Sequence, residues 1–191
     1  MGHKFHDILF TPSVKSIQEQ NGSRRSYARF EGTEEQRNVI GPAEAQFIAA
    51  RDSFYIASVG EGGWPYIQHR GGPVGFLRVL SNKAIGFADF AGNRQYITLG
   101  NLQGESRVSL FLMDYPNRAR LKILGHAQVS TDPEILGQLT VPDYNAKIER
   151  GFTITIAGLD WNCSQHITPR FSGPELLAMR EERLAAFTES A

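Results

Sequence analysis

Cysteine is almost missing from this chain. Cys163 stands alone among 191 residues, so no intramolecular disulfide can form and a zinc site built on several cysteines is excluded. Neither sign of charge is in excess, since 20 Lys and Arg balance 20 Asp and Glu. That balance argues against nucleic acid as the main partner, because such domains carry a basic surplus, and against electrostatic attachment to a membrane. No stretch is apolar for long enough to span a bilayer. The opening Met-Gly-His-Lys-Phe-His lacks the apolar run of a secretory signal, so a cytoplasmic protein is expected. His3, His6 and His126 have no acidic partners at metal-ligand spacing, and no metal is assigned. No carboxylate pair stands out as an acid–base couple, and no Ser-His-Asp set can be argued from spacing. Chemistry, if present, belongs to a cofactor that the protein orients.

What is there describes a globular domain. The apolar fraction is 41%, and the length suits one domain by the prior of about 150 residues each. Residues 1–38 are polar and charge-rich, and read as an arm laid across the rest or across a partner subunit, or as a disordered tail. Within it, Ser13 to Glu19 can form a short helix after Pro12. The remainder, 39–191, reads as the main domain, closed by a C-terminal helix. Pro42 to Asp52 reads as a helix, with Pro42 at its first position. From Ser53 the period switches to two. Phe54–Val59, Trp64–Arg70, Gly75–Leu80 and Ala84–Asp89 are short strands separated by Gly and Asn turns. A helix from Asn93 to about Asn101, strands over Arg107–Met113, Ala119–Val129 and Gly151–Ala157, and a short helix over Pro133–Leu139 follow. An amphipathic helix over Pro174–Phe187 uses Leu176, Leu177, Met179, Leu184 and Phe187. The order is mainly antiparallel β with peripheral helices, pointing to a barrel or sandwich and away from a parallel nucleotide-binding sheet.

Several segments concentrate polar chemistry. Gly86-Phe-Ala-Asp-Phe-Ala-Gly-Asn-Arg-Gln95 reads as strand, tight turn and helix start, with Asn93 as the cap and Arg94 in the first turn. A cation there opposes the helix dipole, by roughly 0.3–1 kcal/mol, unless an anion is bound. Free N–H groups, the dipole and an Arg fork together suit a phosphate, although Arg94 could simply point into water. The strand ending Gln68-His-Arg-Gly-Gly72 is a candidate binding edge, and Arg70 and Arg94 could converge on one anion. Arg118, Arg120 and Lys122 alternate along a returning strand, which an anion or a solvated edge would equally explain. Asp160-Trp-Asn-Cys-Ser-Gln-His166 is better read as a pocket wall formed by Trp161, with Gln165 and Arg170 as polar contacts, than as a Cys163–His166 couple.

Three segments together resemble a known family. Ile67-Gln-His-Arg70, the 86–95 segment, and Arg107-Val-Ser-Leu-Phe-Leu-Met-Asp114 through Gly125-His-Ala-Gln-Val129 are similar to the pyridoxamine 5′-phosphate oxidase-like FMN-binding split β-barrels. Asp160-Trp-Asn-Cys-Ser-Gln-His-Ile-Thr-Pro-Arg170 resembles a segment of a general flavin-binding subgroup. The resemblance implies a homodimer with FMN in clefts between subunits, acting as a flavin oxidoreductase that moves two electrons between the flavin and a small substrate or nicotinamide donor. A flavin- or haem-binding protein without turnover is the alternative. Arg70 and Arg94 would hold the phosphate, with Asn93 and Gln95 beside it. Ile67, Gln68 and His69 would line the flavin, and Ala88 and Asp89 would lie beside the ring or ribityl chain. Arg120, Trp161, Gln165 and Arg170 would complete the cofactor site. Two departures stand out. Gln95 falls where the oxidases often have Lys, and Gln165-His-Ile-Thr-Pro-Arg170 lacks their Arg-x-His pair, which points away from a true pyridoxamine phosphate oxidase. A cation such as Arg120 or Lys122 near the ring would favour the reduced flavin.

Overall fold

The computed structural model describes residues 4–31 and 38–189, with side chains up to residue 182. The N-terminal segment forms α1 (Lys4–Leu9), α2 (Pro12–Gln20) and α3 (Arg24–Ala28). They are followed by α4 (Pro42–Ala49), β1 (Ser53–Val59), β2 (Pro65–Gly71), β3 (Arg78–Ser81) and β4 (Ala84–Phe90). Then come α5 (Ile97–Gly104), β5 (Arg107–Asp114), β6 (Ala119–Ser130), α6 (Pro133–Leu139), β7 (Ile148–Trp161) and α7 (Gly173–Glu189). The seven strands form one sheet in the order β2-β1-β5-β6-β7-β4-β3, and every pairing is antiparallel.

Alternation of buried and outward residues explains why the sheet curls. Phe54 and Ile56 on β1, Leu110 and Leu112 on β5, and Leu121 and Ile123 on β6 are all buried on one face. Closing that face on itself removes it from water on both sides at once. Phe54 on β1 meets Phe87 on β4 at 5.2 Å, although β5, β6 and β7 lie between those strands in the sheet order. Phe87 stacks on Phe152 of β7 at 4.9 Å, and Phe54 stacks on Phe76 at 5.7 Å. The result is a split β-barrel with an aromatic core and helices around it.

Two of the sheet's three register shifts involve the long strand β7. One falls between Leu124 and Gly125, where a Cβ would lie 2.6 Å from the Thr155 carbonyl oxygen, so only glycine fits. The other falls on β4: Asp89 pairs with Arg150, but Phe90 pairs with Ile148, leaving Glu149 as the extra residue of β7.

The helices depart from expectation in two places. α5 begins at Ile97 with Tyr96 as its cap residue, so Asn93 does not cap the helix and Arg94 is not in its first turn. Instead Asn93 Oδ1 accepts the Gln95 N–H at 3.2 Å, an Asx turn that competes with helix formation. α7 forms as expected, but Leu176, Leu177 and Met179 are exposed within the protomer. Leu184 and Phe187 lie outside the described side chains. In the N-terminal segment, α1 packs on β7, with Phe5 buried. Its own small core joins His6 to Phe10 at 4.8 Å and Phe10 to Tyr27 at 5.6 Å. His3 lies outside the described residues, as does 32–37.

Candidate functional site

β2 sits on the sheet edge, and its side chains divide by alternation. Gln68 and Arg70 turn inward, whereas Ile67 and His69 turn to the exposed outer face. Arg70 reaches across the split of the barrel to Asp89 on β4, with Nη1 donating to Oδ1 at 2.6 Å. Gln68 is oriented by the buried Thr98 of α5, whose hydroxyl donates to Oε1 at 2.9 Å. These contacts define a cavity of about 250 Å³ between β2, β4, the β4–α5 loop, the opening of α5 and the start of β7. Gln68, Arg70, Asp89, Asn93, Arg94 and Gln95 all line it. Six residues singled out in the sequence are thereby brought together. Ala88 is buried on the neighbouring face of β4 and does not line the cavity.

The loop above the cavity is conformationally costly. Arg94 and Tyr96 have φ of 62° and 53°, in the left-handed region, at roughly 1–2 kcal/mol each. Such outliers gather where geometry serves a ligand. Tyr96, Thr98 and Leu99 put the opening turn of α5 on the cavity wall, where the first helical N–H groups have no intrahelical acceptor.

Two residues that sequence reading passed over complete the lining, Glu149 and Arg150. Adjacent strand residues normally face opposite sides. The register shift at Asp89/Phe90 breaks that alternation and lets both face the cavity. Arg150 donates to Asp89 Oδ2 at 3.2 Å and to Glu149 Oε2 at 2.8 Å. The guanidinium also lies 5.0 Å from the Tyr96 ring centroid. Arg94 Nε donates to the Tyr96 hydroxyl at 3.2 Å, and that hydroxyl donates to Glu149 at 3.4 Å. One polar chain thus runs Arg94–Tyr96–Glu149–Arg150–Asp89–Arg70. Three guanidinium groups face two carboxylates. Burial holds the Asp89 carboxyl above the usual carboxylate range, against the opposing pull of Arg70 and Arg150. Arg70 Nε is buried with no hydrogen-bond acceptor.

Arg120, Trp161, Gln165 and Arg170 do not line this cavity. Arg120 stands on β6, three strands from β2 across the sheet, and donates to the Asn162 side-chain oxygen at 2.8 and 3.0 Å once that amide is oriented to accept. Trp161 Nε1 donates to Glu44 Oε1 at 2.6 Å, with the indole packed edge-on against Phe47. Arg170 lies over the Tyr115 ring, and Gln165 N donates to Cys163 Sγ at 3.4 Å. Trp161 thus rests on α4, and Arg170 on the β5–β6 turn. Arg118 belongs to that turn and not to the strand face shared by Arg120 and Lys122. Lys122 is held by Asp160 at 3.1 Å and lies over the Phe5 ring.

A larger cavity of about 950 Å³ opens on the outer side of the barrel. Ile8 and Leu9 of α1, Val59 and Pro65, and Leu124 and His126 line parts of it. Its Arg107 is paired with Glu105, whose carboxyl is lowered to about 2 by that partner. None of the described residues of the N-terminal segment lines the smaller, arginine-bearing cavity. Among the described residues no group of three or more His, Cys, Asp or Glu could hold a metal, and no helix is long and apolar enough to cross a membrane.

A split barrel with a cationic cleft at its seam defines the class. Residues 40–159 match the family model described as pyridoxamine 5′-phosphate oxidase, and the chain belongs to that family. Among solved structures it is similar to a Lactobacillus delbrueckii protein named as a candidate pyridoxamine 5′-phosphate oxidase. That pair has 19% identity and a TM-score of 0.50, covering 66% of this chain and 97% of the other. It is also similar to an FMN-binding protein from Syntrophomonas wolfei, with 13% identity, a TM-score of 0.47, and coverage of 76% and 97%. An F420 reductase matches with 14% identity, a TM-score of 0.43, and coverage of 65% and 100%. No curated protein matches the chain.

Proposed function

We propose that the protein is a homodimeric FMN-binding oxidoreductase whose phosphate site is the arginine-bearing cavity. The observation that carries this reading is the convergence of Arg70, Arg94 and the α5 opening on one small cleft. A phosphate monoester brings close to two negative charges and three acceptor oxygens, which charge-assisted Arg bonds and helix N–H groups suit. The buried Arg70 Nε without an acceptor fits such a group. Gln68, positioned by Thr98, would take the ribityl end.

The size of the cleft supports the dimer. About 250 Å³ is below the roughly 300–1,000 Å³ typical of a whole small-molecule site, so the isoalloxazine ring would extend beyond it. A second subunit would cover the ring, and Arg120, Trp161, Gln165 and Arg170, which lie away from this cleft, are what a partner could contribute. Ile67 on the outer face of β2, at 67% exposure, and Trp64 just before that strand, at 82%, offer apolar surface for such a contact. Bound FMN would supply two-electron transfer with a small substrate or a nicotinamide donor. The chain's own residues would bind, orient and shield it.

The purified protein is expected to be yellow, to release FMN on denaturation as identified by mass spectrometry, and to run as a dimer in light scattering. A colourless protein that stays so after soaking in excess FMN refutes the reading. A deazaflavin released in its place would keep the site and replace the cofactor. A second reading is flavin binding without turnover. Anaerobic bleaching by NADH or NADPH supports the enzyme; flavin that stays oxidised with every donor supports the binding protein.

A further inference from the structure

We propose that Arg150 is the third phosphate-binding cation of the cleft, beside Arg70 and Arg94. This rests on the flavin reading above and deepens it. Arg94 and Gln95 are both exposed on the loop, and of the two only Arg94 is cationic. On the opposite wall, Arg150 is brought to the cavity by the register shift that makes Glu149 the extra residue of β7. Its side chain is 14% exposed, so its charge acts where water screens it poorly.

Charge balance points the same way. Arg70 alone is matched by Asp89, which leaves nothing over for a dianion. With Arg94 and Arg150 added, three guanidinium groups face Asp89 and Glu149 with one positive charge to spare. A guanidinium carries five N–H donors in a fixed fork, and the bonds from Arg150 to Asp89 and Glu149 do not exhaust them. The Tyr96 ring packs against the guanidinium, its centroid 5.0 Å away. Glu149 then acts as a competitor, holding Arg150 with a charge that repels an incoming phosphate.

The test compares FMN with riboflavin, which has the same ring and ribityl chain but no phosphate. Flavin fluorescence quenching would follow titration of the full chain, stripped of flavin, and its variants. Wild type is expected to prefer FMN. Arg150→Ala should weaken FMN binding roughly 10–100-fold, the range for hydrogen bonds to charged groups, and leave riboflavin within about twofold. Arg150→Lys should recover part of the loss. Glu149→Gln retains Arg150 and should tighten FMN several-fold with riboflavin unchanged, which keeps the proposal testable if Arg150→Ala fails to fold. A folded Arg150→Ala with wild-type FMN affinity, an equal loss for both flavins, or a Glu149→Gln with unchanged or weaker FMN binding overturns the role of Arg150 alone. A wild type that binds FMN no better than riboflavin overturns the phosphate site itself, and Arg150 with it.

Discussion

Replacing Asp89 first by asparagine and then by alanine separates the charge of this carboxylate from its role as acceptor. Asp89 is 7% exposed and accepts from Arg70 at 2.6 Å and from Arg150 at 3.2 Å. Burial nevertheless lifts its pKa above the ordinary 3.8. An acid whose folded pKa is raised holds its proton more tightly when folded. Stability therefore declines as pH rises from 3.8 through the folded value, and the penalty is fully present at neutral pH. Asparagine keeps a carbonyl for Arg70 and sheds the charge, so Asp89→Asn should lie within about 1 kcal/mol of wild type, or above it. Alanine removes the acceptor from two guanidinium groups whose side chains are 17% and 14% exposed. A fully buried pair broken this way costs about 3–5 kcal/mol, and the residual hydration of both arginines reduces that to roughly 2–4 kcal/mol. With a urea slope of about 2 kcal/mol per molar, the midpoint should fall by roughly 1–2 M for Asp89→Ala and by less than about 0.5 M for Asp89→Asn. Any excess stability of Asp89→Asn over wild type should shrink as pH drops from 7 toward 4. An asparagine variant as unstable as the alanine one would mean that the ion pairs outweigh burial, and would refute the reasoning.

Other perturbations test the arm and the scaffold. A Cβ on Gly158 would lie 2.7 Å from the Phe5 nitrogen, so Gly158→Ala should lift α1 off β7, seen as faster amide exchange over residues 4–9 with the β5 and β6 core unchanged. Glu31 is held below the usual carboxylate range by Arg24 first and Lys15 second. Its contribution is complete above the unfolded value of 4.5 and is lost as pH falls through the folded value, so acid should loosen α2 and α3 before the barrel, read from Tyr27 resonances by NMR. Arg51 donates to the Phe47 and Met113 carbonyls and to Asp114, and lies over the Phe47 ring. Arg51→Ala should cost roughly 2–4 kcal/mol in chemical denaturation.

The strands were legible because their pattern is local. Period-two alternation over Phe54–Val59 and Gly151–Ala157 marks buried faces, and Gly or Asn turns mark their ends. The start of β7 was not legible, because Ile148-Glu-Arg150 does not alternate: a register shift sets its pairing with β4. The opening of α5 was misplaced for a related reason. Asn93 is a good cap in isolation, but here its side chain closes a turn on Gln95, and two left-handed residues delay the helix to Ile97.

The same distinction runs through the site. Gln68 and Arg70 were singled out together with Ile67 and His69, yet strand alternation alone sends the two pairs to opposite faces. Their separation was readable in principle, and the Gln-His-Arg cluster hid it. The meeting of Arg70 with Asp89 was not readable, since it depends on the curled sheet bringing an edge strand back to β4. Arg150 lies one step further from the sequence. Its approach to that meeting point needs both the closure of the barrel and a single unpaired residue, Glu149, next to it on β7. Local motifs supply the cations of the loop and the edge. The long-range pairing decides which further charges face them, and so sets the net charge that a phosphate would meet.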